Sequence, residues 1–331
     1  MKKFIILIFI TMSVYACNKE DLQEAPINTS IFSSSDTIVT PGNFITFEST
    51  AKGALLNDTT THYFWHFEGG SPEYSTLKNG ITVTYLNEGT FDVSVLVING
   101  NSIDSITKKN YITVKGPTKE GLILYYPFNG NLKNLASQLN NGYADNFFVE
   151  YTTDKFNNQQ SAYKAYWNRI SCGDNPIGTD GSFTLSTNIY PLTNTYTSSK
   201  YEPNLSEYII SAGAQSGSTG YYLLWNNGKL RFGRKISNMS CDTIFGDFST
   251  KKWYSIVSSY DSATHIVKIY VNKNKLIETS LINKGEKWVN NFNTFTIGAP
   301  NTPYNYYFNG TIDEIRLYKR SLSEDEIKYL W

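Results

Sequence analysis

Two strand patterns frame the C-terminal two thirds of this 331-residue chain. The first, at 121–132, is the apolar and aromatic run GLILYYPFNGNL, which ends in an Asn-Gly turn. The second, at 306–331, is YYFNGTIDEIRLYKRSLSEDEIKYLW, a strand followed by a short helix. A β-sandwich whose first and last strands lie side by side has this arrangement, so we expect the two runs to pair in one sheet.

The closing helix begins with its own sequence motif. Ser323 and Glu326 have the spacing of a capping box, in which each side chain bonds the backbone N–H of the other residue. The acids of this segment are therefore explained by the helix start and not by catalysis.

Composition favours an exported all-β protein. Charged residues make up 18% of the chain and aromatic residues 15%, with 25 Tyr against 3 Met. Short aromatic strands separated by Asn, Gly, Ser and Thr are typical of such proteins. The formal net charge is +0 and no basic run is present, so we expect no nucleic-acid partner.

The N-terminus has the features of an export signal. Lys2 and Lys3 precede the apolar run 4–10, which is too short for a permanent membrane helix. Ala16-Cys17 follows, and a small residue before a cysteine resembles the lipobox of bacterial lipoproteins. The resemblance implies that residues 1–16 are a signal peptide and that the acyl chains on Cys17 anchor the protein in a membrane. A secretory signal with an incidental cysteine is the alternative.

The residues after Cys17 predict where the protein resides. Asn18-Lys19-Glu20-Asp21 resembles the surface-export signal of certain Gram-negative lipoproteins. It implies an outer-membrane lipoprotein exposed at the cell surface, although a merely solvated acidic tether would have the same composition. Residues 17–27 are polar and aperiodic, so we expect a flexible, lipid-anchored tether.

The next unit, 28–115, has alternating strand patterns. In HYFWHFEGGSPEYS, at 62–75, aromatic residues alternate before a double glycine. The run ITVTYLNEGTFDVSVLVINGN, at 81–101, and the strand YITV, at 111–114, complete the pattern. This order closely resembles the PKD family of immunoglobulin-like sandwiches, which implies a spacer module.

Gly116-Pro117-Thr118 marks a boundary, after which a second unit, 118–331, reads as many short strands. Its motifs are YYLLWNNGKLRFG, KKWYSIV, the hairpin HIVKIYVNKNKL and the closing NGTIDEIRLYKRSLSEDEI. They resemble the laminin-G-like family of concanavalin A-like jelly rolls. The resemblance implies an all-β sandwich that binds glycans or proteins and rarely catalyses a reaction.

Cysteines and histidines provide few candidate sites. With Cys17 acylated, Cys172 and Cys241 remain, and they form either one disulfide or two buried thiols. His62 and His66 are four residues apart, which on a strand is about 13 Å and too far for one zinc ion. We therefore expect ordinary strand histidines.

Catalysis has weak support in the sequence. Glucanases of this fold carry acids in the pattern Glu-x-Asp-x-x-Glu, whereas Asp313-Glu314 is followed by Ile315 and Arg316. We expect Glu314 and Arg316 to form a surface ion pair, and we expect no enzyme.

Sandwiches of this class often hold one calcium ion near the junction of the first and last strands, which implicates Asp313 and Asn129. Asp313 accepting backbone hydrogen bonds is the alternative.

Sugar binding requires exposed aromatic rings beside polar groups. The tryptophans Trp65 and Trp253 lie in apolar strand patterns and are predicted to be core residues. Four aromatic residues lie in polar segments and are the predicted carbohydrate contacts: Trp288, Tyr304, Tyr306 and Tyr307.

The sequence thus predicts a non-catalytic surface lipoprotein that captures a polysaccharide or glycoconjugate. A structural or adhesive protein that binds other surface proteins is the first alternative, and a cryptic glycoside hydrolase is the second.

Overall fold

The computed structural model describes residues 32–49, 61–99, 102–137, 139–145, 148–178, 181–193, 207–213, 220–236, 239–283, 294–301 and 306–331. The chain divides into two compact units, Met1–Val114 and Lys115–Trp331. The described residues contain many strands and one short helix. Among the described residues, no helix is long and apolar enough to span a membrane.

The first unit is a sandwich of two sheets, with strand orders β1-β3-β7-β5 and β2-β9-β8-β4-β6. Its strands are β1 (Phe32–Ser34), β2 (Ile38–Val39), β3 (Phe44–Ser49), β4 (Thr61–Phe67), β5 (Gly70–Ser71), β6 (Tyr74–Ser75), β7 (Asn79–Tyr85), β8 (Gly89–Asn99) and β9 (Ser102–Val114).

The core of this unit confirms the predicted alternation of β4. Tyr63, Trp65 and Phe67 are buried, and the Trp65 indole donates to the carbonyl oxygen of Leu77 at 2.9 Å. The predicted turn after β4 also requires glycine. A methyl group on Gly69, whose φ is +67°, would lie 2.3 Å from a ring carbon of Phe91.

The second unit is a larger sandwich of two eight-stranded sheets. Its elements are β10 (Leu122–Tyr126), β11 (Tyr143–Ala144), β12 (Tyr151–Thr152), β13 (Ala162–Ala165), β14 (Ile170–Asp174), β15 (Phe183–Pro191), β16 (Glu207–Ala212), β17 (Gly220–Asn226), β18 (Lys229–Ile236), β19 (Met239–Phe245), β20 (Tyr254–Asp261), β21 (Ile266–Val271), β22 (Asn274–Ser280), β23 (Ile282–Asn283), β24 (Thr294–Ile297), β25 (Gly310–Tyr318) and the helix α1 (Glu324–Ile327).

The front sheet has the order β12-β13-β25-β15-β20-β21-β22, with β10 also pairing with β25. The back sheet has the order β11-β14-β24-β16-β17-β18-β19-β23. Their facing side chains form one core, which includes Tyr126, Trp225 and Ile312. The predicted pairing of the first and last strands is confirmed, because Leu122 pairs with Tyr318 and Tyr126 with Ile315 in antiparallel register.

Helix α1 covers one end of the outer face of the front sheet. Leu322, Ile327 and Leu330 form a second apolar cluster with Val257 and Tyr318. The predicted capping box is present: the Glu326 N–H donates to Ser323 Oγ at 3.3 Å, and the Ser323 N–H donates to Glu326 Oε2 at 3.0 Å. The described residues of the α1 cluster do not extend to the other end of the outer face, which holds the site described next.

Candidate functional site

A groove lies on the outer face of the front sheet, at the end of the strands away from helix α1. It has a cavity volume of about 470 Å³. Side chains from four strands, from the segment after β12 and from the residues next to β15 and β20 line it: Thr152, Thr153, Asp154, Lys155, Asn157, Lys164, Tyr190, Leu192, Trp253 and Thr311.

The register of the front sheet places a row of side chains from neighbouring strands along this groove. Thr311 of β25 pairs with Lys164 of β13 on one side and with Tyr190 of β15 on the other. The Tyr190 ring lies 5.5 Å from the ring of Trp253, and both residues are half-buried. Two neighbouring aromatic rings thus offer an apolar wall to a ligand.

A second row of side chains, which is polar, lies two residues along the strands on the same face. Asn188 of β15 pairs with Asp313 of β25 and with Ser255 of β20. The Ser255 hydroxyl donates to Asn188 Oδ1 at 2.6 Å, and Lys155 Nζ donates to Ser255 Oγ at 3.4 Å. An amide, a hydroxyl, a carboxyl group and an ammonium group therefore lie close together, two residues along the strands from the aromatic pair.

The turn after β12 positions Lys155. The Asp154 carboxylate accepts hydrogen bonds from the N–H groups of Phe156 and Asn158, at 2.8 and 2.9 Å, and from the Asn158 side chain at 2.8 Å. Because these three donors all lie within the turn, Asp154 fixes the backbone that presents Lys155.

Burial shapes the electrostatics of the polar row. Asp313 is 3% exposed, and burial, followed by the charge of Glu314, raises the pKa of Asp313 to about 8. Burial also lowers the pKa of Lys155, while Glu314 and Asp313 act in the opposite direction. A carboxyl group with so high a pKa is mostly protonated at neutral pH and can donate as well as accept a hydrogen bond.

The predicted ion pair of Glu314 with Arg316 is present but is not a surface pair. Arg316 Nη2 lies 2.5 Å from Glu314 Oε2, with side-chain exposures of only 13% and 27%. The Tyr125 hydroxyl donates to Glu314 Oε1 at 3.0 Å, and the Arg316 guanidinium lies over the Tyr125 ring at 4.1 Å. The added strand β10 therefore shields the pair on one side.

Another buried acid lies on the back sheet. Glu207 is 1% exposed, and burial raises its pKa to about 8. Its Oε2 accepts the Asn309 N–H at 3.0 Å, whereas its Oε1 has no hydrogen-bond partner among the described residues. This acid does not line the groove.

Two of the four predicted carbohydrate contacts belong to the described residues, and neither of them lines the groove. Trp288 and Tyr304 lie outside the described residues. Tyr306 and Tyr307 are half-buried, and their rings lie 6.1 Å from Tyr208 and 5.9 Å from Trp167, respectively. The structure thus places two predicted contacts in aromatic clusters next to β25.

The prediction that Trp253 is a core residue is wrong. Trp253 directly precedes β20, whose first residue, Tyr254, is 8% exposed and belongs to the core. Since successive side chains of a strand point to opposite faces, Trp253 faces outward. The alternation of KKWYSIV could have revealed this, whereas Lys155, Lys164 and Tyr190 had no such signal.

The two predicted calcium ligands are not brought together by any contact in the structure. Asp313 Oδ1 accepts the Glu314 N–H at 2.8 Å, as in the backbone-bonded alternative. The Asn129 carbonyl accepts the Asn131 side chain at 2.8 Å in an exposed turn. Among the described residues, no group of three or more His, Cys, Asp or Glu side chains could hold a metal ion. Calcium binding stays a prediction.

The disulfide alternative for Cys172 and Cys241 is wrong in this structure. Neither cysteine forms a disulfide, and both thiols are buried. Cys172 lies in β14 and Cys241 in β19, with four strands of the back sheet between them. Five inter-strand steps of about 4.8 Å separate the two residues, whereas a disulfide requires Cα atoms within about 7 Å.

Comparisons with known proteins agree with this architecture. The family model of the concanavalin A-like lectin/glucanases superfamily matches residues 166–328, and the model of the PKD domain matches residues 31–111. No curated protein matches the chain.

Three solved structures are similar to part of the chain at low identity. Domain 4 of AbnA, a GH43 extracellular arabinanase from Geobacillus stearothermophilus, solved with arabinotriose, is 20% identical with a TM-score of 0.47, over 63% of this chain and 97% of that domain. The botulinum neurotoxin serotype D binding domain is 15% identical, with a TM-score of 0.45, over 63% of this chain. The binding domain of Paraclostridial Mosquitocidal Protein 1 is 16% identical, with a TM-score of 0.47, over 64% of this chain.

The chain spans about half the length of these two toxin structures, 51% and 52%. The predicted fold class, an immunoglobulin-like sandwich followed by a concanavalin A-like jelly roll, is confirmed by the two sandwiches and the two family matches. The chain therefore carries a PKD domain followed by a concanavalin A-like lectin/glucanases domain.

Proposed function

We propose that this protein is a cell-surface lipoprotein that captures a polysaccharide or glycoconjugate in the groove of its C-terminal domain, without turning it over. The PKD domain acts as a spacer above the membrane. The observation that carries the proposal is the Tyr190–Trp253 pair, 5.5 Å apart, which lines a groove of about 470 Å³ together with polar and charged side chains.

The chemistry of the groove suits a sugar. A sugar ring has an apolar face, which the two aromatic rings can contact, and a rim of hydroxyl groups, which need hydrogen-bond partners. Lys155 supplies an ammonium group to the groove, and Ser255 and Asn188 form a hydrogen-bonded chain behind it. The match of residues 166–328 to a superfamily of lectins and glucanases favours the same class of ligand.

A glycan array tests this proposal. The chain without its first 17 residues is applied to the array and then compared with a Trp253→Ala variant. We expect the wild-type chain to bind one structural class of glycan and the variant to lose most of that signal. Absence of any glycan signal, or equal binding by the variant, would contradict the proposal.

The lipid anchor rests on the sequence before residue 18, which lies outside the described residues. A Cys17→Ser chain should lose lipid labelling and should appear in the soluble fraction. Persistent membrane association of a processed Cys17→Ser chain would argue against the anchor. Protease treatment of intact cells distinguishes surface exposure from attachment to the inner leaflet of the outer membrane.

Calcium is proposed as a structural ion at the junction of β10 and β25, with Asp313 and Asn129 as ligands. Calcium should then raise the melting temperature relative to a chelator, and Asp313→Asn should abolish that rise. Equal melting temperatures in calcium and chelator would remove the ion from the proposal.

The hydrolase alternative retains one specific observation. Asp313 has a pKa raised to about 8 and stands beside Glu314, and glycosidases use two carboxyl groups whose pKa values differ. The proposal of binding alone fails if the wild-type chain shortens a bound oligosaccharide and Glu314→Gln or Asp313→Asn stops the reaction.

A further inference from the structure

Lys155 is a partly buried cation that lines the groove. Its ammonium donates to Ser255 Oγ at 3.4 Å, near the limit for a hydrogen bond, and lies 5.1 Å from the centre of the Phe156 ring. Among the described residues it takes part in no ion pair. Nearby acids, Glu314 first, act to raise its pKa against the effect of burial without forming an ion pair with it. An ammonium group has three donors, so Lys155 can donate to a further acceptor.

The other charges in and around the groove have strong partners. The Asp154 carboxylate accepts three hydrogen bonds within its own turn. Lys164 forms an ion pair with Glu150. Glu314 is held by Arg316 and by the Tyr125 hydroxyl. Of the charged residues that line the groove, Lys155 therefore has the weakest hydrogen-bond or ion-pair partner.

We propose that the glycan bound in this groove is an acidic one, and that its anionic group binds the ammonium of Lys155 while the sugar ring contacts Tyr190 and Trp253. This inference rests on the proposed function and names its substrate class. The anionic group is a carboxylate or a sulfate, since both present oxygen atoms to a single ammonium group.

The position of Lys155 makes the two contacts compatible. Lys155 is bonded to Ser255, which is bonded to Asn188, and Asn188 lies two residues from Tyr190 on the same face of β15. Residues i and i+2 of a strand are about 6.6 Å apart, which is roughly the width of a sugar ring with its substituents. An anionic substituent can therefore reach Lys155 while the ring lies against the aromatic pair.

Matched oligosaccharide pairs test the proposal by calorimetry on the chain without its first 17 residues. One pair is tetragalacturonate and its fully methyl-esterified form, and the other is a sulfated galactan oligosaccharide and its desulfated form. We expect the acidic member of one pair to bind at least about tenfold more tightly than its neutral partner, since only the acidic member can form a charge-assisted hydrogen bond with the ammonium group. The pair that shows the difference identifies carboxylate or sulfate.

Three variants assign the effect to the right lysine. Lys155→Met should abolish the preference for the acidic member, and Lys155→Arg should retain much of it. Lys133→Met, which removes an exposed lysine away from the groove, should bind as the wild-type chain does. Melting temperatures of all variants establish that they are folded.

The outcomes separate this inference from the proposed function. Equal or tighter binding of the neutral members overturns the acidic ligand but leaves the groove as a glycan site. A preference for the acidic member that survives Lys155→Met also overturns it. Failure to bind either pair overturns the inference as well, and the glycan array then decides by itself whether the groove binds any glycan.

Discussion

Trp253 and Glu207 illustrate how the local environment decides the role of a single residue. Trp253 stands at the start of β20, next to the core residue Tyr254, so that its ring lies against Tyr190 in the groove. Glu207 is a carboxyl group in the interior of the back sheet, where water cannot stabilise its charge. Trp253 is therefore available to a ligand, whereas Glu207 makes the stability of the folded protein depend on pH.

Removing either ring of the aromatic pair should weaken glycan binding. We expect Trp253→Ala or Tyr190→Ala to cost about 1–3 kcal/mol of binding free energy, because each removes a central aromatic contact. Titration calorimetry against the best array ligand measures this. Tyr143→Ala, at an exposed tyrosine that does not line the groove, is the matched control and should bind normally. A full loss of affinity in Tyr306→Ala with none in Trp253→Ala would move the site to the contacts predicted from the sequence.

Glu207 should make the fold less stable as the pH rises. Its pKa is raised in the folded protein from 4.5 to about 8. Its contribution is therefore fully present below about pH 4.5 and is lost as the pH rises towards about 8, since the folded state must then release a proton from a buried group. Glu207→Gln should flatten the decline of the melting temperature across this range, whereas Glu120→Gln, at an exposed acid, should not. Parallel melting curves for wild type and Glu207→Gln at every pH would contradict this assignment.

At the scale of elements, β25 organises the site because it changes partners along its length. Residues 310–312 pair with β13, and residues 315–318 pair with β10. Asp313 and Glu314 lie where one partner gives way to the other, and Glu314 has a φ of +53° that non-glycine residues rarely adopt. At the same point β25 has one more residue than β15 between their paired positions, a β-bulge that interrupts the regular alternation of side chains at the two acids.

The capping box of α1 should contribute measurably to the stability of the same domain. Ser323→Ala removes the side-chain acceptor for the Glu326 N–H, which we expect to cost about 1 kcal/mol and about 2–4 °C in melting temperature. Ser323→Thr, which retains the hydroxyl, is the matched control and should melt close to wild type. A melting temperature unchanged by Ser323→Ala would mean that packing of Leu322 and Ile327 alone holds the segment.

At the scale of the whole molecule, the two units have separate cores. The buried residues of the first unit cluster around Trp65, and those of the second cluster between the front and back sheets around Trp225. Each cluster draws all its residues from its own unit. Each unit therefore has what independent folding requires, a core of its own.

The C-terminal unit should fold when it is made alone. We expect residues 115–331 to melt in one cooperative transition, and we expect limited proteolysis of the longer chain to cut near Gly116-Pro117 or in the N-terminal tether. The fragment begins at Lys115 because the Lys115 ammonium lies 4.9 Å from the centre of the Tyr329 ring. Calorimetry and circular dichroism check the transition. An aggregated or unfolded fragment would mean that the two units depend on each other.

The sequence by itself determined the features that depend on local order along the chain. Alternation identified the buried face of β4, turn residues located the β21–β22 hairpin, and the spacing of Ser323 and Glu326 identified the helix start. The resemblance of both units to known families supplied the fold class. These features could be predicted because each is set by residues close together in sequence, or by a pattern shared with many proteins.

Only the tertiary structure decided which residues form the groove. Lys164, Tyr190, Trp253 and Thr311 lie far apart in the chain and meet because the register of the front sheet aligns them in one row. Lys155 joins them from a turn whose shape depends on the hydrogen bonds of Asp154. Register and long-range strand order arise from the packing of the whole sandwich, and a shift of one residue would turn each side chain to the opposite face. The strands could therefore be predicted from the sequence, whereas the binding surface that they build depends on how they pair.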